Sequence, residues 1–153
     1  MVVELKIMKK NPGAGLIKDK ACYDYIGSYI TRSGSRYTGL TPEDEKYFEN
    51  CKGKIFINLA RLSPEKDQAK LIRSFRILVN KYPIFCLLIL GDGPLYNDLS
   101  NLIKELNLES NVFLVGIRFN PFPFLKRADC FVLSSNHEGQ PMTLFEAMIL
   151  EKP

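Results

Sequence analysis

The chain has 153 residues, of which 46% are hydrophobic and 25% are charged, and its formal net charge is +4. This composition indicates a globular domain with its own core and excludes a disordered chain. The charge is spread along the sequence without a basic run interleaved with aromatics, so nucleic acid is not a favoured partner. The longest apolar run, Ile84–Leu90, is much shorter than the roughly 20 residues that a membrane span needs.

Residues 1–50 carry weak structural signals, and we predict that they form a linker or a remnant leading into the rest of the chain. Residues 2–8 are compatible with a strand and residues 19–31 with a short helix. Thr41, followed by Pro42 and three acidic residues, predicts a capped helix that runs to about Asn50.

Residues 51–153 alternate between strand and helix patterns and are predicted to form one domain. Strands are predicted at 54–59, 85–90, 112–115 and 130–133, and helices at 65–82, 94–106, 121–128 and 142–150. This order predicts β-α-β units and the α/β fold of a doubly wound, Rossmann-like parallel sheet. The sequence stops at Pro153, where a fifth strand is expected, so the sheet is predicted to be incomplete at its C-terminal end.

Four scattered cysteines form no Cys-x-x-Cys motif, and the chain has one histidine, His137. They predict four reduced thiols in a cytoplasmic protein rather than a disulfide framework or a metal site. The beginning of the chain has no apolar stretch of the signal-peptide kind. The cysteines are Cys22, Cys51, Cys86 and Cys130.

Polar and glycine residues follow each predicted strand, at the edge where open α/β sheets bind ligands. Arg61 and Lys66 flank the turn after the first strand and could hold phosphate, or they could be solvated surface cations. Gly91 follows the second strand, either to let a ligand approach the backbone or to make a tight turn in which Asp92 caps the next helix.

The third and fourth strands lead to further candidates. Gly116 leaves room for a flat ring, and Arg118 reaches either a phosphate or solvent. Glu138 and Glu146 flank a helix that begins near Met142, whose free N–H groups would bind phosphate while each carboxylate accepts from sugar hydroxyls. Alternatively, the two glutamates are an ordinary loop carboxylate and a solvated helix residue. Together the four strand ends predict a nucleotide-sugar site.

Other chemistries lack their motifs in this sequence. It contains no Gly-x-x-x-x-Gly-Lys-Ser/Thr phosphate loop, no Gly-x-Ser-x-Gly elbow, and no Asp-x-Asp on a strand end to hold a metal. Arg61, Lys66 and the helix start could instead neutralise a diphosphate leaving group.

Five segments in this order resemble a known family, and the resemblance spans about two thirds of the chain. Residues 55–153 resemble the donor-binding, C-terminal half of retaining glycosyltransferases with the two-domain GT-B fold, the group 1 (family 4) class. Two positions depart from the family pattern, because Ala60 and Asp67 stand where the family usually has glycine. The matching segments are Leu59–Lys66, Leu90–Pro94, Val112–Gly116, Ala128–Ser135, and Glu138–Pro141 with Glu146–Met148.

The resemblance implies a role for each candidate residue. Arg61 and Lys66 would hold the donor diphosphate, Glu138 would act on the transferred sugar as the catalytic residue, and Glu146 would bind the ribose. Gly116 would border the base. Four further residues would approach the diphosphate and sugar with their backbone, namely Gly139, Gln140, Pro141 and Met142.

The resemblance also implies an activity. Such an enzyme transfers a hexose-type sugar from a nucleotide-diphosphate sugar to a saccharide or lipid-linked acceptor, with retention and without a metal or cofactor. The acceptor would bind a missing N-terminal domain, which makes this chain a truncated fragment. The stretch Asn120–Pro123 resembles a branch of the family that acts in cell-envelope polysaccharide synthesis. The expected location of such an enzyme is the cytoplasm or the inner face of the membrane. The alternatives are a non-catalytic nucleotide-sugar binding module and an inactive remnant.

Overall fold

A computed structural model of the protein describes residues 39–138 and 142–153. The strand and the helix predicted within residues 1–31 lie outside this range. A 3₁₀ turn, Pro64–Lys66, precedes the second helix. The other elements, in chain order, are α1 (Pro42–Asn50), β1 (Ile55–Leu59), α2 (Gln68–Lys81), β2 (Cys86–Leu90), α3 (Tyr96–Glu105), β3 (Val112–Gly116), α4 (Phe122–Arg127), β4 (Cys130–Phe131) and α5 (Met142–Ile149).

The four strands form one parallel sheet in the order β3-β2-β1-β4. The chain builds outward from β1 through β2 to β3, then crosses back so that β4 pairs with the other side of β1. Ile57 therefore lies between Leu88 and Phe131. This confirms the predicted doubly wound α/β fold, and it places the reversal of strand order between β1 and β4, where such sheets bind ligands.

The sheet is buried on both faces, which explains why its strands are continuous apolar runs rather than alternating ones. All five residues of β2 are buried. Leu87 and Ile89 pack with α2 and α3, while Leu88 and Leu90 pack on the other face with α1, α4 and α5. A rigid two-sided core thus holds the strand ends at the carboxyl edge.

Two predicted helix boundaries are wrong, and local backbone geometry explains both. The helix predicted from residue 65 begins at Gln68, because Asp67 takes a left-handed conformation (φ 47°, ψ 46°) and caps α2 through the backbone N–H of Lys70. The helix predicted from Pro94 begins at Tyr96, and the Asp92 carboxylate accepts from the N–H of Gly93 instead of capping it.

The fourth strand ends at Phe131, before the predicted end at residue 133. The buried side chain of Asn58 donates to the carbonyl of Val132 at 2.8 Å, so a side chain takes over where the ladder stops. On the outer side of β4, the N–H of Phe131 donates to the carbonyl of Pro153 at 2.8 Å. The final residue therefore lies beside β4, where the sequence predicts the next strand to begin.

The cysteine prediction is wrong for two of the four residues. Cys51, which follows α1, and Cys86, which begins β2, form a disulfide with their Cα atoms 5.9 Å apart. The C-terminal end of α1 lies beside the residues that precede β2, as the approach of the Cys51 Sγ to the Ile84 carbonyl also shows, and a separation of 35 residues conceals this proximity. The disulfide removes the argument for the cytoplasm that rested on reduced thiols. Cys130 is a free, buried thiol, and Cys22 lies outside the described residues.

No helix in the described part of the chain is long and apolar enough to cross a membrane.

Candidate functional site

The loops after β1 and β4 are joined by hydrogen bonds at the carboxyl edge of the sheet. The Ser134 hydroxyl donates to the carbonyl of Lys66 at 2.7 Å. The backbone N–H of Asn136 donates to the carbonyl of Glu65 at 3.0 Å, and its side-chain amide donates to Asp67 Oδ2 at 3.0 Å. The two loops therefore hold each other in place at the point where the strand order reverses.

Lys66 and Glu138 meet directly across this junction. The Lys66 Nζ lies 2.7 Å from Glu138 Oε1, and the two side chains are only 23% and 20% exposed. The Ser135 hydroxyl donates to the same carboxylate oxygen at 2.5 Å. The hydrogen bond from Lys66, followed by that from Ser135, lowers the pKa of Glu138, so this carboxylate is charged at neutral pH.

Arg61 stands on the same loop as Lys66 and is exposed. Its guanidinium has no hydrogen-bond or ion-pair partner among the described residues. Its backbone is fixed, because the fully buried Gln68 donates its side-chain amide to the Arg61 carbonyl at 2.8 Å. The loop thus presents the Arg61 guanidinium from an anchored backbone, on the same loop as Lys66, which is already paired with Glu138.

Glu146 lies on α5 and is half-buried. Within the part of the chain that the structure describes, its carboxylate has no hydrogen-bond or ion-pair partner, and burial raises its pKa. Met142 begins α5 as predicted and is exposed. The predicted contact residues Gly139, Gln140 and Pro141 lie outside the described residues. A half-buried carboxylate without a partner is costly in a free protein and is typical of a binding group.

Gly91 is explained by packing between loops. Its φ is +142°, and a Cβ at this position would lie 2.0 Å from the carbonyl oxygen of Ala60. Its N–H donates to the carbonyl of Gly116 at 3.0 Å. The tight-turn alternative therefore accounts for this glycine, although Asp92 does not cap the next helix as predicted. Contact between Gly91 and a ligand remains a prediction.

Gly116 borders open space. Its φ is +80°, and a Cβ there would meet only the Arg118 Nη1 at 3.8 Å. Room for a ring beside it is thus present. Arg118 is paired within the protein, which neither prediction foresaw, because its Nε lies 2.8 Å from Asp44 Oδ1 and its Nη1 donates to the carbonyl of Val115 at 2.7 Å.

The sequence did not reveal the residues that hold the candidates in place. Ser134 and Ser135 fall inside one of the matching segments, yet nothing local shows that one bonds the Lys66 carbonyl and the other Glu138. Asp67, at a position where the resemblance expects glycine, takes a left-handed backbone, a conformation that glycine adopts readily. Across residues 39–138 and 142–153, no group of three or more His, Cys, Asp or Glu side chains is placed to hold a metal ion.

The fold and the site define a class of protein in which a parallel sheet carries paired cations and carboxylates at its switch point. The profile of the family described as "Glycosyl transferases group 1" matches residues 41–153. The chain belongs to this family, and the resemblance found in its sequence is confirmed.

Three relatives illustrate the match. An uncharacterized glycosyltransferase of Methanocaldococcus jannaschii is 52% identical over 111 residues, which cover 71% of this chain and 27% of the relative. The N-acetylgalactosamine-N,N'-diacetylbacillosaminyl-diphospho-undecaprenol 4-alpha-N-acetylgalactosaminyltransferase of Campylobacter jejuni is 37% identical, covering 63% and 26%. The crystal structure of Staphylococcus aureus TarM with Fondaparinux, alpha-GlcNAc-glycerol and UDP superposes with a TM-score of 0.64 at 33% identity, covering 65% and 20%. The chain thus spans about a quarter of the curated relatives it matches.

Proposed function

We propose that residues 51–153 form part of the donor-binding domain of a glycosyltransferase that uses a nucleotide-diphosphate sugar. The whole enzyme transfers a hexose-type sugar to a saccharide or lipid-linked acceptor, with retention, in cell-envelope polysaccharide synthesis. The acceptor binds a domain that lies outside these residues, as the quarter-length match to the relatives suggests.

One observation carries the proposal, namely the pairing of Lys66 with Glu138 at the switch point of the sheet. A cation suited to phosphate and a carboxylate suited to hydroxyls stand 2.7 Å apart, although 72 residues separate them in the chain. A nucleotide-diphosphate sugar is a ligand whose phosphates and sugar hydroxyls are adjacent in the same way. Its diphosphate would bind Lys66, and a hydroxyl of its transferred sugar would donate a hydrogen bond to Glu138.

The neighbouring groups extend this assignment. Arg61, unengaged on the same loop, adds a second phosphate contact, and Glu146 accepts from the ribose hydroxyls. Gly116 borders the base, where the space beside its Cα is open. Uridine is the first base to test, because the TarM structure was solved with UDP.

Stabilisation of the leaving diphosphate by cations is the basis for proposing a metal-independent reaction. As the bond to the sugar breaks, negative charge develops on the diphosphate, and Lys66 and Arg61 would neutralise it. Transfer that continues unchanged in excess EDTA supports this step, whereas restoration of lost activity by Mg²⁺ or Mn²⁺ contradicts it. Nuclear magnetic resonance of the anomeric proton in the product tests retention.

Calorimetric titration of the purified chain with UDP, GDP, ADP and CDP tests the donor site. We expect saturable binding of one nucleotide, which weakens at least tenfold in Arg61→Ala and Glu146→Ala. Matched controls are Arg73→Ala and Glu109→Ala, which remove exposed charges elsewhere on the surface.

The outcomes separate the alternatives. A nucleotide that binds equally well to Arg61→Ala, Glu146→Ala and wild type contradicts the proposed site. Binding without sugar transfer in the longest natural form of the protein indicates a nucleotide-sugar binding module instead. A chain that unfolds cooperatively but binds none of the four nucleotides indicates an incomplete donor site, and a chain that shows no cooperative unfolding indicates a remnant that does not fold.

A further inference from the structure

Both hydrogen bonds to the Glu138 carboxylate converge on one of its two oxygens. Oε1 accepts from Lys66 Nζ at 2.7 Å and from the Ser135 hydroxyl at 2.5 Å. Oε2 has no partner among the residues that the structure describes. A carboxylate can accept about four hydrogen bonds, so this arrangement fixes the group by one oxygen and leaves the other open as an acceptor.

We propose that Ser135 is a positioning residue, which holds Oε1 of Glu138 so that Oε2 is presented to a hydroxyl of the donor sugar. This inference rests on the proposed function, because it assigns the sugar contact to Glu138. It adds a residue whose part in the site is independent of the phosphate contacts.

Ser135 matters most once a donor is bound. Lys66 carries a point charge on a long, flexible stem, and a diphosphate with two negative charges competes with Glu138 for it. Ser135 has a short side chain with a single torsion to its hydroxyl, and a neutral hydroxyl is less attractive to the phosphate. When Lys66 turns toward the diphosphate, Ser135 remains as the donor that keeps Glu138 oriented.

The backbone around Ser135 is anchored well enough for this task. The preceding residue, Ser134, bonds the Lys66 carbonyl, and the following residue, Asn136, bonds both Glu65 and Asp67. These contacts come from the loop after β1, so Ser135 is held by the part of the structure that carries Lys66. The hydroxyl therefore acts from a fixed point rather than from a free loop.

A purely structural role for Ser135 predicts a different outcome. If the hydroxyl only closed the turn, its loss would loosen the loop and weaken binding of UDP and of a UDP-sugar equally. A positioning role predicts that UDP, which has no transferred sugar, binds as before, while the UDP-sugar binds less tightly. It also predicts that the pKa of Glu138 rises when the Ser135 hydroxyl is removed, although Lys66 and His137 remain near the carboxylate.

The test compares Ser135→Ala, Ser135→Thr and Ser135→Val with wild type, and uses Ser110→Ala, an exposed serine at the amino edge of the sheet, as control. Thr and Val have nearly the same shape, and only Thr keeps the hydroxyl. This pair remains informative even if the Ala variant unfolds.

Calorimetry gives the affinities for UDP and UDP-N-acetylglucosamine. A ¹³C titration of labelled glutamate carboxyls follows Glu138, whose signal is identified by its loss in Glu138→Gln.

We expect Ala and Val to weaken UDP-N-acetylglucosamine binding about five- to tenfold with UDP binding unchanged, and to move the Glu138 titration to higher pH. Thr should restore both. An unmoved Glu138 titration in Ala and Val overturns the positioning role, as does an equal loss for both ligands. If wild type binds neither these two ligands nor GDP, ADP or CDP, the proposed function fails, while the titration still decides whether Ser135 holds Glu138.

Discussion

Replacing Gly91 with alanine tests whether this glycine serves the packing of the loops. The added Cβ would lie 2.0 Å from the Ala60 carbonyl oxygen and 2.9 Å from its carbon, both of which are backbone atoms. Neither can move aside as a flexible side chain would. The N–H of Ala60 is bonded to Leu90, and that of Gly91 to Gly116, so relief of the clash disturbs these hydrogen bonds.

The expected loss of stability follows from these contacts. Holding alanine at the Gly91 φ of +142° costs about 1–3 kcal/mol. Weakening the two loop hydrogen bonds adds about 0.5–1.5 kcal/mol each. The sum is about 2–6 kcal/mol, a large part of the 5–15 kcal/mol that a domain typically has. At a urea dependence of about 2 kcal/mol per molar, the midpoint of unfolding falls by about 1–3 M.

Equilibrium urea unfolding, followed by circular dichroism, measures this loss. Gly39→Ala is the matched control, because a Cβ there meets no atom within 4 Å, and its unfolding free energy should stay within about 0.5 kcal/mol of wild type. A loss below about 1 kcal/mol for Gly91→Ala would refute the packing argument. It would return the residue to the alternative in which glycine is needed for a ligand.

Three other perturbations probe the surroundings of the site. Arg118→Ala should lower the unfolding free energy by about 1–3 kcal/mol in urea, because Asp44, only 6% exposed, loses its ion-pair partner, and an unchanged midpoint contradicts this. Glu146→Gln should raise the Tm at neutral pH, because burial raises the pKa of Glu146 and its charged form opposes folding. That gain should shrink as the pH falls through the folded-state pKa, and a pH-independent gain speaks against the cause. Reduction of the Cys51–Cys86 disulfide should cost about 4 kcal/mol for its 35-residue separation, and equal urea midpoints with and without reductant would argue against the bond.

Sequence patterns predicted the sheet well because each strand is set by its own burial. Continuous apolar runs such as residues 86–90 have few alternatives to a strand buried on both faces. The cap signal also located α1, whose Thr41 accepts from the N–H of Asp44 as predicted. The edge that collects Arg61, Lys66 and Glu138 followed from the parallel topology alone.

Contacts between distant segments were less predictable. Residues 51 and 86 carry no mark of their proximity, and Arg118 has no local sign of its pairing with Asp44. The left-handed backbone of Asp67 is equally invisible, because aspartate is uncommon but tolerated in that region. Such features depend on how whole elements pack, whereas periodicity reports only which face of one element is buried.

The pairing of Lys66 with Glu138 has a consequence for the order of folding. The contact between Lys66 and Glu138 requires β4 to pair with β1, at a sequence separation of 72 residues between the two side chains. Contacts of such long sequence separation bear a large loop-closure entropy and form slowly. We therefore predict that recovery of ligand binding during refolding reports the docking of β4 and lags behind the recovery of helical signal from α2 and α3, and simultaneous recovery of the two signals would contradict this.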